Sequence, residues 1–149
     1  MGGMSVIKRA KAEDLPQVAR LAEALWPGHG PGELKEELGE LMERRDAAFF
    51  LAWVEGSAVG FAQCQLRRDY VEGTEYSPVG YLEGIFVEAP FRRRGLAVEL
   101  LSACERWAAE RGCREFASDC ELENDRSRSF HEALGFREAN RIVCFVKQL

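Results

Sequence analysis

Hydrophobic and polar residues follow two different spacings along this chain. Runs rich in β-branched and aromatic residues predict strands at 6–7, 48–54, 58–66, 79–87, 115–120 and 142–146. Apolar residues three or four positions apart predict helices at 14–26, 34–42, 95–111 and 125–134. The order β-α-α-β-β-β-α-β-α-β predicts an α/β domain with a mixed central β-sheet and helices on both of its faces. A right-handed crossover through the third helix would make the strand at 115–120 parallel to the strand before that helix.

The ends of the predicted helices carry local signals. Asp14 is placed as the N-cap of the first helix, Pro16 fits its first turn, and Gln17 is spaced to complete a capping box. Gly112 supplies a stop after the third helix. Trp26 falls where the first helix ends, and its residue chemistry alone favours a core side chain that covers this end.

One continuous segment, 79–97, predicts a phosphate-binding site. Its strand is interrupted by Gly84, where a β-bulge or a close backbone approach is expected. A basic loop follows Pro90 and closes on Gly95, and a helix begins there. Backbone N–H groups and the positive end of the helix dipole would face an anion at this turn. The consecutive arginines 92–94 add positive charge, although their spacing does not allow all three to face the same anion.

Composition and charge narrow the range of partners. The chain has 149 residues, enough for one domain, which we assign to residues 4–149 because Gly2 and Gly3 look like a ragged terminus. A formal net charge of −5 argues against a nucleic-acid partner and suits a cationic substrate. No apolar run is long enough to cross a membrane, and no N-terminal targeting pattern is present, so a cytoplasmic protein without a membrane partner is expected.

The five cysteines do not predict a metal site. They contain no Cys-x-x-Cys pair, and the two histidines are far apart in sequence, which makes zinc unexpected. An odd number of cysteines in such a chain favours reduced thiols, most of them small core residues.

The motif Arg92-x-x-Gly95-x-Ala97 resembles the coenzyme-A-binding motif of the GNAT superfamily of N-acetyltransferases. The preceding strand, the following helix, the helix after Asn124 and the Gly-Phe pair at 135–136 match as well, so the resemblance spans nearly the whole chain. Three polar segments, 72–85, 115–120 and 138–141, narrow it to the aminoglycoside 6′-N-acetyltransferases.

This resemblance implies a GNAT fold in which a bulged central strand forms the acetyl-CoA cleft. It implies direct acetyl transfer from acetyl-CoA to the 6′-amino group of an aminoglycoside antibiotic, with antibiotic resistance as the result and no metal. The implied acetyl-CoA contacts are Ile85, Phe86, Val87, Arg92, Arg93, Arg94, Gly95, Leu96, Ala97, Val98 and Asn124. The implied contacts to the antibiotic are Trp26, Tyr70, Glu83, Asp119 and Asn140, the last standing where some members carry an acidic residue.

The reaction requires a neutral amine, whereas aminoglycoside amines are mostly protonated near neutral pH. A carboxylate must therefore accept a proton, directly or through water. We assign Asp119 as the base and Glu83 as the residue that orients the amine; a capping role is the structural alternative for Asp119. The backbone N–H of Val87 is the candidate donor to the oxyanion. His131 stands where many superfamily members carry a proton-donating Tyr, but a buried structural His is the commoner case, and it is left out of the catalytic set.

Two other functions fit the same sequence. One is acetylation of a protein N-terminus, a polyamine or another small amine, and the other is coenzyme-A binding without catalysis. Exposed edges at the hairpin and at the strand 142–146 could pair two copies, so a homodimer is expected.

Overall fold

The structure, a computed structural model, describes residues 4–30 and 32–149. Over this part of the chain a single five-stranded sheet forms, with the strands in sequence order from one edge to the other. The strands are β1 (Ser5–Arg9), β2 (Ala47–Val54), β3 (Ser57–Arg67), β4 (Val79–Val87) and β5 (Phe116–Ser118). Strands β1 to β4 are antiparallel, and β5 joins β4 in parallel. The mixed sheet and the parallel crossover are as predicted.

The α-helices of the described residues are α1 (Leu15–Leu25), α2 (Glu33–Met42), α3 (Leu96–Glu110) and α4 (Asp125–Ala133), and the first three cover the two faces of the sheet. Helices α1 and α2 pack on the face that carries Phe49, Leu51 and Phe61. Helix α3 packs on the opposite face, against Phe50 and Ala62. Because successive side chains of a strand point to opposite faces, β2 supplies both cores, and every one of its residues is apolar.

The ends of the helices differ from the prediction at one point. Asp14 is the N-cap of α1, but its carboxylate accepts a hydrogen bond from the backbone N–H of Lys11 at 2.8 Å and closes a 3₁₀ turn. Gln17 accepts a hydrogen bond from Arg20 at 3.1 Å, so the capping box predicted for it is wrong. Gly112 follows α3 with a φ of +89°, a conformation in which glycine ends helices at little cost.

The predicted strand at 142–146 is wrong. Residues after Gly135 form no helix or strand, and the segment 142–149 (the C-terminal segment) extends into solvent. Phe145 is 92% exposed and Val146 is 95% exposed. The apolar sequence of a strand is present, but a strand forms only when a neighbour pairs with its backbone. The described part of this chain supplies none.

Two further features bear on partners. Within residues 4–30 and 32–149, no helix combines the length and the apolarity that are needed to cross a membrane. Over the same residues, no three His, Cys, Asp or Glu side chains converge in a way that could hold a metal ion.

Candidate active site

Strand β4 contains a β-bulge at Glu83, the predicted amine-orienting residue. Gln63 of β3 pairs with Gly84 and Cys64 pairs with Leu82, so Glu83 is the extra residue on β4. A bulge bends its strand and redirects the side chain at the irregularity. The sequence placed this feature at Gly84, one residue away.

Glu83 is held by an arginine from the neighbouring strand. Arg67, the last residue of β3, donates from Nη2 to Glu83 Oε1 at 2.8 Å and from Nε to Oε2 at 3.1 Å. Only 18% of the Glu83 side chain is exposed, against 39% of the Arg67 side chain. Partial burial acts to lower the pKa of the Arg67 guanidinium, but the hydrogen bonds and charge of Glu83 outweigh it and the pKa is raised. The arrangement is the two-pronged Arg–carboxylate pair that fixes both partners in orientation.

The same arginine links Glu83 to the second carboxylate through Tyr81. The Arg67 guanidinium lies over the Tyr81 ring, 3.4 Å from its centroid, and the Tyr81 hydroxyl donates a hydrogen bond to Asp119 Oδ2. Burial first, and then the hydrogen bond and charge of Asp119, raise the pKa of Tyr81 well above its ordinary value. Tyr81 therefore stays protonated and is the donor in its hydrogen bond to Asp119. We call Arg67, Tyr81, Glu83 and Asp119 the carboxylate cluster.

Trp26 lies against the bulge from the other side of β4. A Cβ built on Gly84 would come within 2.5 Å of Cη2 and Cζ2 of the Trp26 ring, a distance that real side chains do not tolerate. The ring also packs edge-on against Phe61, with centroids 6.0 Å apart. Trp26 is half-buried. It therefore covers the end of α1, as its residue chemistry suggested, and also borders the bulge.

The other two predicted acceptor contacts lie on exposed parts of the chain. Tyr70 stands in the loop after β3 and is 76% exposed. Asn140 donates from Nδ2 to Glu72 Oε1 at 2.6 Å, and Ala139 packs on Gly73. Asn140 is thus held beside the same loop as Tyr70, but its described polar partners are Glu72 and the N–H of Arg141 and not the carboxylate cluster.

The predicted coenzyme side begins where β4 and β5 separate. Their pairing ends at Leu82 and Ser118, whereas β4 continues for five residues, to Val87. On the side of β4 that faces away from β3, backbone groups from Glu83 onward are free of β5. Ile85, Phe86 and Val87 therefore line an opening in the sheet, which is the position that the sequence predicted for the acetyl and pantetheine groups.

The turn after β4 leads into α3 with the expected geometry. Gly95 has a φ of +81° and is the N-cap of α3, and no side chain caps this end. The N–H groups of Leu96, Ala97 and Val98 precede the first intrahelical hydrogen bond, which runs from Glu99 to Gly95. A Cβ on Gly95 would meet nothing within 4 Å. These three N–H groups therefore have no acceptor within the helix, as an anion-binding helix N-terminus requires.

The three arginines of this turn have different surroundings. Arg92 donates from Nε to the Val87 carbonyl at 2.7 Å and lies over the Phe86 ring, 5.5 Å from its centroid. Arg94 lies 5.3 Å from the centroid of Phe91, and Arg93 has a φ of +64°. Arg92 thus braces the end of β4, while the side chains of Arg93 and Arg94 are exposed at the turn.

Asn124 and His131 already have partners within the chain. Asn124 caps α4, because its Oδ1 accepts a hydrogen bond from the N–H of Ser127 at 3.0 Å. His131 Nδ1 lies 2.7 Å from the Ser127 carbonyl and therefore donates to it, and Nε2 lies 2.8 Å from Ser118 Oγ. With both ring nitrogens satisfied, His131 fits the structural role that kept it out of the catalytic set.

Sequence reasoning missed Arg67 and Tyr81. Tyr81 stands two positions before Glu83 on one strand, so alternation alone puts the two side chains on one face. The sequence indicates Arg67 more weakly, because its contact with Glu83 depends on the pairing register of β3 with β4.

Comparisons with known proteins agree with this architecture. The acetyltransferase (GNAT) family model matches residues 15–136, most of the chain. The chain belongs to the GNAT acetyltransferase family. An aminoglycoside N(6′)-acetyltransferase type 1 of Salmonella typhimurium is 44% identical over 128 residues, 86% of this chain and 88% of the relative. Another from Stenotrophomonas maltophilia is 40% identical over 139 residues, covering 93% and 90% of the two chains.

Solved GNAT structures superpose closely on this one. Aminoglycoside N-acetyltransferase AAC(6′)-Iy in complex with CoA has a TM-score of 0.95 and 40% identity, covering 100% of this chain and 98% of its own. The same enzyme with the bisubstrate analogue CoA-S-monomethyl-acetylneamine has a TM-score of 0.94 and 39% identity, with coverages of 99% and 100%. The GNAT fold predicted from the sequence is confirmed.

Proposed function

We propose that this protein transfers the acetyl group of acetyl-CoA to the 6′-amino group of aminoglycoside antibiotics and thereby confers resistance to them. The carboxylate cluster carries the proposal, since two hydrogen-bonded pairs, joined by the contact of Arg67 with the Tyr81 ring, bring Glu83 and Asp119 together where β4 and β5 separate. Curated relatives named aminoglycoside N(6′)-acetyltransferase, with identities of 44% and 40%, support the same substrate class.

The acceptor side would hold the antibiotic amine next to the carboxylate cluster. Tyr81 occupies Asp119 Oδ2, which leaves Oδ1 available to accept the proton of the ammonium group, directly or through water. Glu83 would orient the nitrogen with the lone pairs that Arg67 does not use. Trp26 would form a wall of the acceptor site, and Tyr70 and Asn140 would contact the antibiotic from the exposed loop side.

The donor side would bind acetyl-CoA between the opened strands and α3. The N–H groups of Leu96, Ala97 and Val98 and the dipole of α3 would hold the pyrophosphate, with charge added by Arg93 and Arg94. The backbone of 85–87 would contact the acetyl and pantetheine groups. Asn124 would contact the coenzyme arm through its Nδ2, because Oδ1 caps α4.

The chemical step joins the two sides. The neutral amine nitrogen attacks the thioester carbonyl carbon, and a tetrahedral oxyanion forms, for which the N–H of Val87 is the proposed donor. The carbon–sulfur bond then breaks, the attacking nitrogen gives up one N–H proton, and the departing thiolate takes a proton, so that the neutral 6′-amide and coenzyme A are released. Because both substrates are bound together, no acyl-enzyme intermediate is required. Acetyl-CoA is a cytoplasmic metabolite, so we place the reaction in the cytoplasm.

A matched pair of acceptors tests the function. Purified protein and acetyl-CoA are incubated with an aminoglycoside that carries a 6′-amine and with its counterpart that carries a 6′-hydroxyl. Thioester loss is followed by chromatography, because exposed Cys120 and Cys144 would react with a thiol reagent. We expect acetylation of the 6′-amine compound only, at the 6′ position by mass spectrometry.

Other outcomes of the same experiment would point elsewhere. Turnover with spermidine or with an N-terminal peptide, but with no aminoglycoside, would indicate a different amine acceptor. Binding of acetyl-CoA without acetylation of any amine would indicate a coenzyme-binding module. Either result would overturn the proposed function.

We also propose a homodimer that uses the C-terminal segment. Its apolar side chains are exposed to an extent unusual for ordered residues: Ile142 69%, Val143 75%, Phe145 92%, Val146 95% and Leu149 116%. An apolar strand-forming segment without a neighbour is a hazard that proteins normally cover. A second copy would supply the pairing strand that residues 4–30 and 32–149 do not supply.

Truncation after Arg141 tests the homodimer. Sedimentation should show a dimer for the full chain and a monomer for the truncated chain. F145D, which keeps the backbone and removes only one apolar contact, should weaken the dimer less. A full chain that sediments as a monomer at all concentrations would contradict the homodimer.

A further inference from the structure

Arg67 is a cation inside the acceptor site that the proposed reaction does not use. Its guanidinium is fixed on two sides, by the paired hydrogen bonds to Glu83 and by the ring of Tyr81 at 3.4 Å. The guanidinium of an ordinary surface arginine is mobile and fully solvated. That of Arg67 is half-buried and held in one orientation. Its charge is therefore a permanent part of the carboxylate cluster.

The charge of the cluster matters because of the state that the acceptor amine must reach. A carboxylate within about 4–6 Å of an ammonium group stabilises the charged form and raises the pKa of the amine. Two unpaired carboxylates would bind a polycation tightly and hold its amine in the protonated form, which cannot attack a thioester. With Arg67 present, the two carboxylates and one guanidinium together leave a single negative charge.

We propose that Arg67 is a positioning residue that neutralises Glu83, so that Asp119 alone takes the proton and the bound amine is released from its ammonium form. This inference rests on the proposed function. Arg67 acts through Glu83 and Tyr81 and need not touch the antibiotic. The bond that breaks is the amine N–H, and its proton passes to the free oxygen of Asp119.

The titratable groups that act on Arg67 come from β4 and from the residue after β5. Strand β4 provides Glu83 and Tyr81, and the residue after β5 provides Asp119; all three act on the Arg67 charge. At the end of α1, the atoms nearest to a Cβ built on Gly84 of the bulge belong to Leu25 and to the C-cap residue Trp26, which carry no charge. Arg67 is therefore the positive member of a group that is otherwise acidic or neutral.

The variant R67Q removes the charge and keeps an N–H donor for Glu83. We expect the rising limb of kcat against pH to move to higher pH by about one unit, since one opposite charge nearby shifts a pKa by roughly that much or more. At a pH below the limb, kcat should fall roughly tenfold, because one pKa unit is a factor of ten. The dissociation constant of the protonated antibiotic, measured by calorimetry with coenzyme A present, should decrease.

A shifted pH limb together with tighter antibiotic binding distinguishes the proposed charge effect from structural damage to the site. A disordered site would bind the antibiotic more weakly and would leave the pH limb in place. R67K keeps the positive charge and should restore the limb to its wild-type pH. R68Q removes an equal charge from the exposed neighbouring residue and should leave both the limb and the affinity unchanged.

A second variant tests the same charge balance in the opposite direction. E83Q removes a negative charge and leaves Arg67 without a carboxylate partner, so the limb should move to lower pH although kcat falls. It also keeps the proposal testable if R67Q does not fold. Limbs that stay at the wild-type pH in R67Q or in E83Q would overturn the inference and leave the proposed function intact. Wild-type protein that acetylates no aminoglycoside would overturn the proposed function and this inference with it.

Discussion

The two halves of the candidate site are built in different ways. Apart from Asn124, the donor half is one continuous segment, from β4 through the basic turn into α3, and its predicted contacts are mainly backbone groups. The acceptor half brings together side chains that are distant in sequence, such as Trp26, Arg67 and Asp119. A backbone site depends on local conformation, whereas a side-chain site depends on the register of neighbouring strands. Substitutions in the two halves should therefore separate acetyl-CoA binding from acetyl transfer.

Loss of the proposed base should give the largest effect. D119N keeps the size of the side chain and removes its capacity to take a proton, so kcat should fall about 10²- to 10⁴-fold. The dissociation constant of acetyl-CoA, measured by calorimetry, should stay unchanged because the donor half is intact. A kcat within twofold of wild type would assign proton transfer to another group.

The bulge should be nearly as sensitive to a single methyl group. In G84A the new Cβ would meet the Trp26 ring at 2.5 Å, and neither the strand nor the ring can move without cost. We expect about 1–3 kcal/mol of lost stability in denaturant unfolding and a raised KM for the antibiotic. In the W26A background the clashing ring is gone, so adding G84A should cost much less stability than it costs in the wild-type protein. Additive losses in this cycle would contradict the contact.

The sequence predicted the local structure of the donor half but missed the contacts of Arg67 and Tyr81 in the acceptor half, for a physical reason. Gly95, its basic loop and the apolar spacing of α3 are local signals, and each lies within a few residues of the feature it predicts. Glu83 and Asp119 came from the family resemblance, and nothing local indicated Arg67, which reaches Glu83 only through the pairing of β3 with β4. A hydrogen bond between strands becomes predictable once the register is known.

Two errors in the fold have a similar origin. The segment 142–146 has the composition of a strand, but a strand also needs a partner backbone, which no local pattern can reveal. The capping box at Gln17 had the correct spacing, but the Asp14 carboxylate found a closer donor in the 3₁₀ turn before it. In both places the local pattern is present, but its expected hydrogen-bond partner is missing or replaced by another.

Substitutions at the turn should affect the donor half alone. R93M or R94M should weaken acetyl-CoA binding several-fold, because each removes one charge that is exposed to water and screened by salt. The difference from wild type should shrink as the salt concentration rises, and KM for the antibiotic should not change. R92M should behave differently, since Arg92 braces the Val87 carbonyl at 2.7 Å, and its loss should lower kcat as well. If R92M, R93M and R94M changed acetyl-CoA binding and kcat to the same extent, the distinct roles that their contacts indicate would be wrong.

The smallest expected effect is the contribution of Tyr81 ionisation to the pH dependence of stability. Burial and the hydrogen bond to Asp119 raise its pKa, so the folded protein holds this proton more tightly than the unfolded chain does. Its contribution to folding is therefore complete below the ordinary tyrosine pKa of about 10 and declines as the pH rises above that value. Absorbance titration of the phenolates should show a delayed component that disappears in Y81F and moves to lower pH in D119N. A delayed component unchanged in D119N would mean that burial alone holds the proton, and the acceptor half would then lose the link between its two carboxylates.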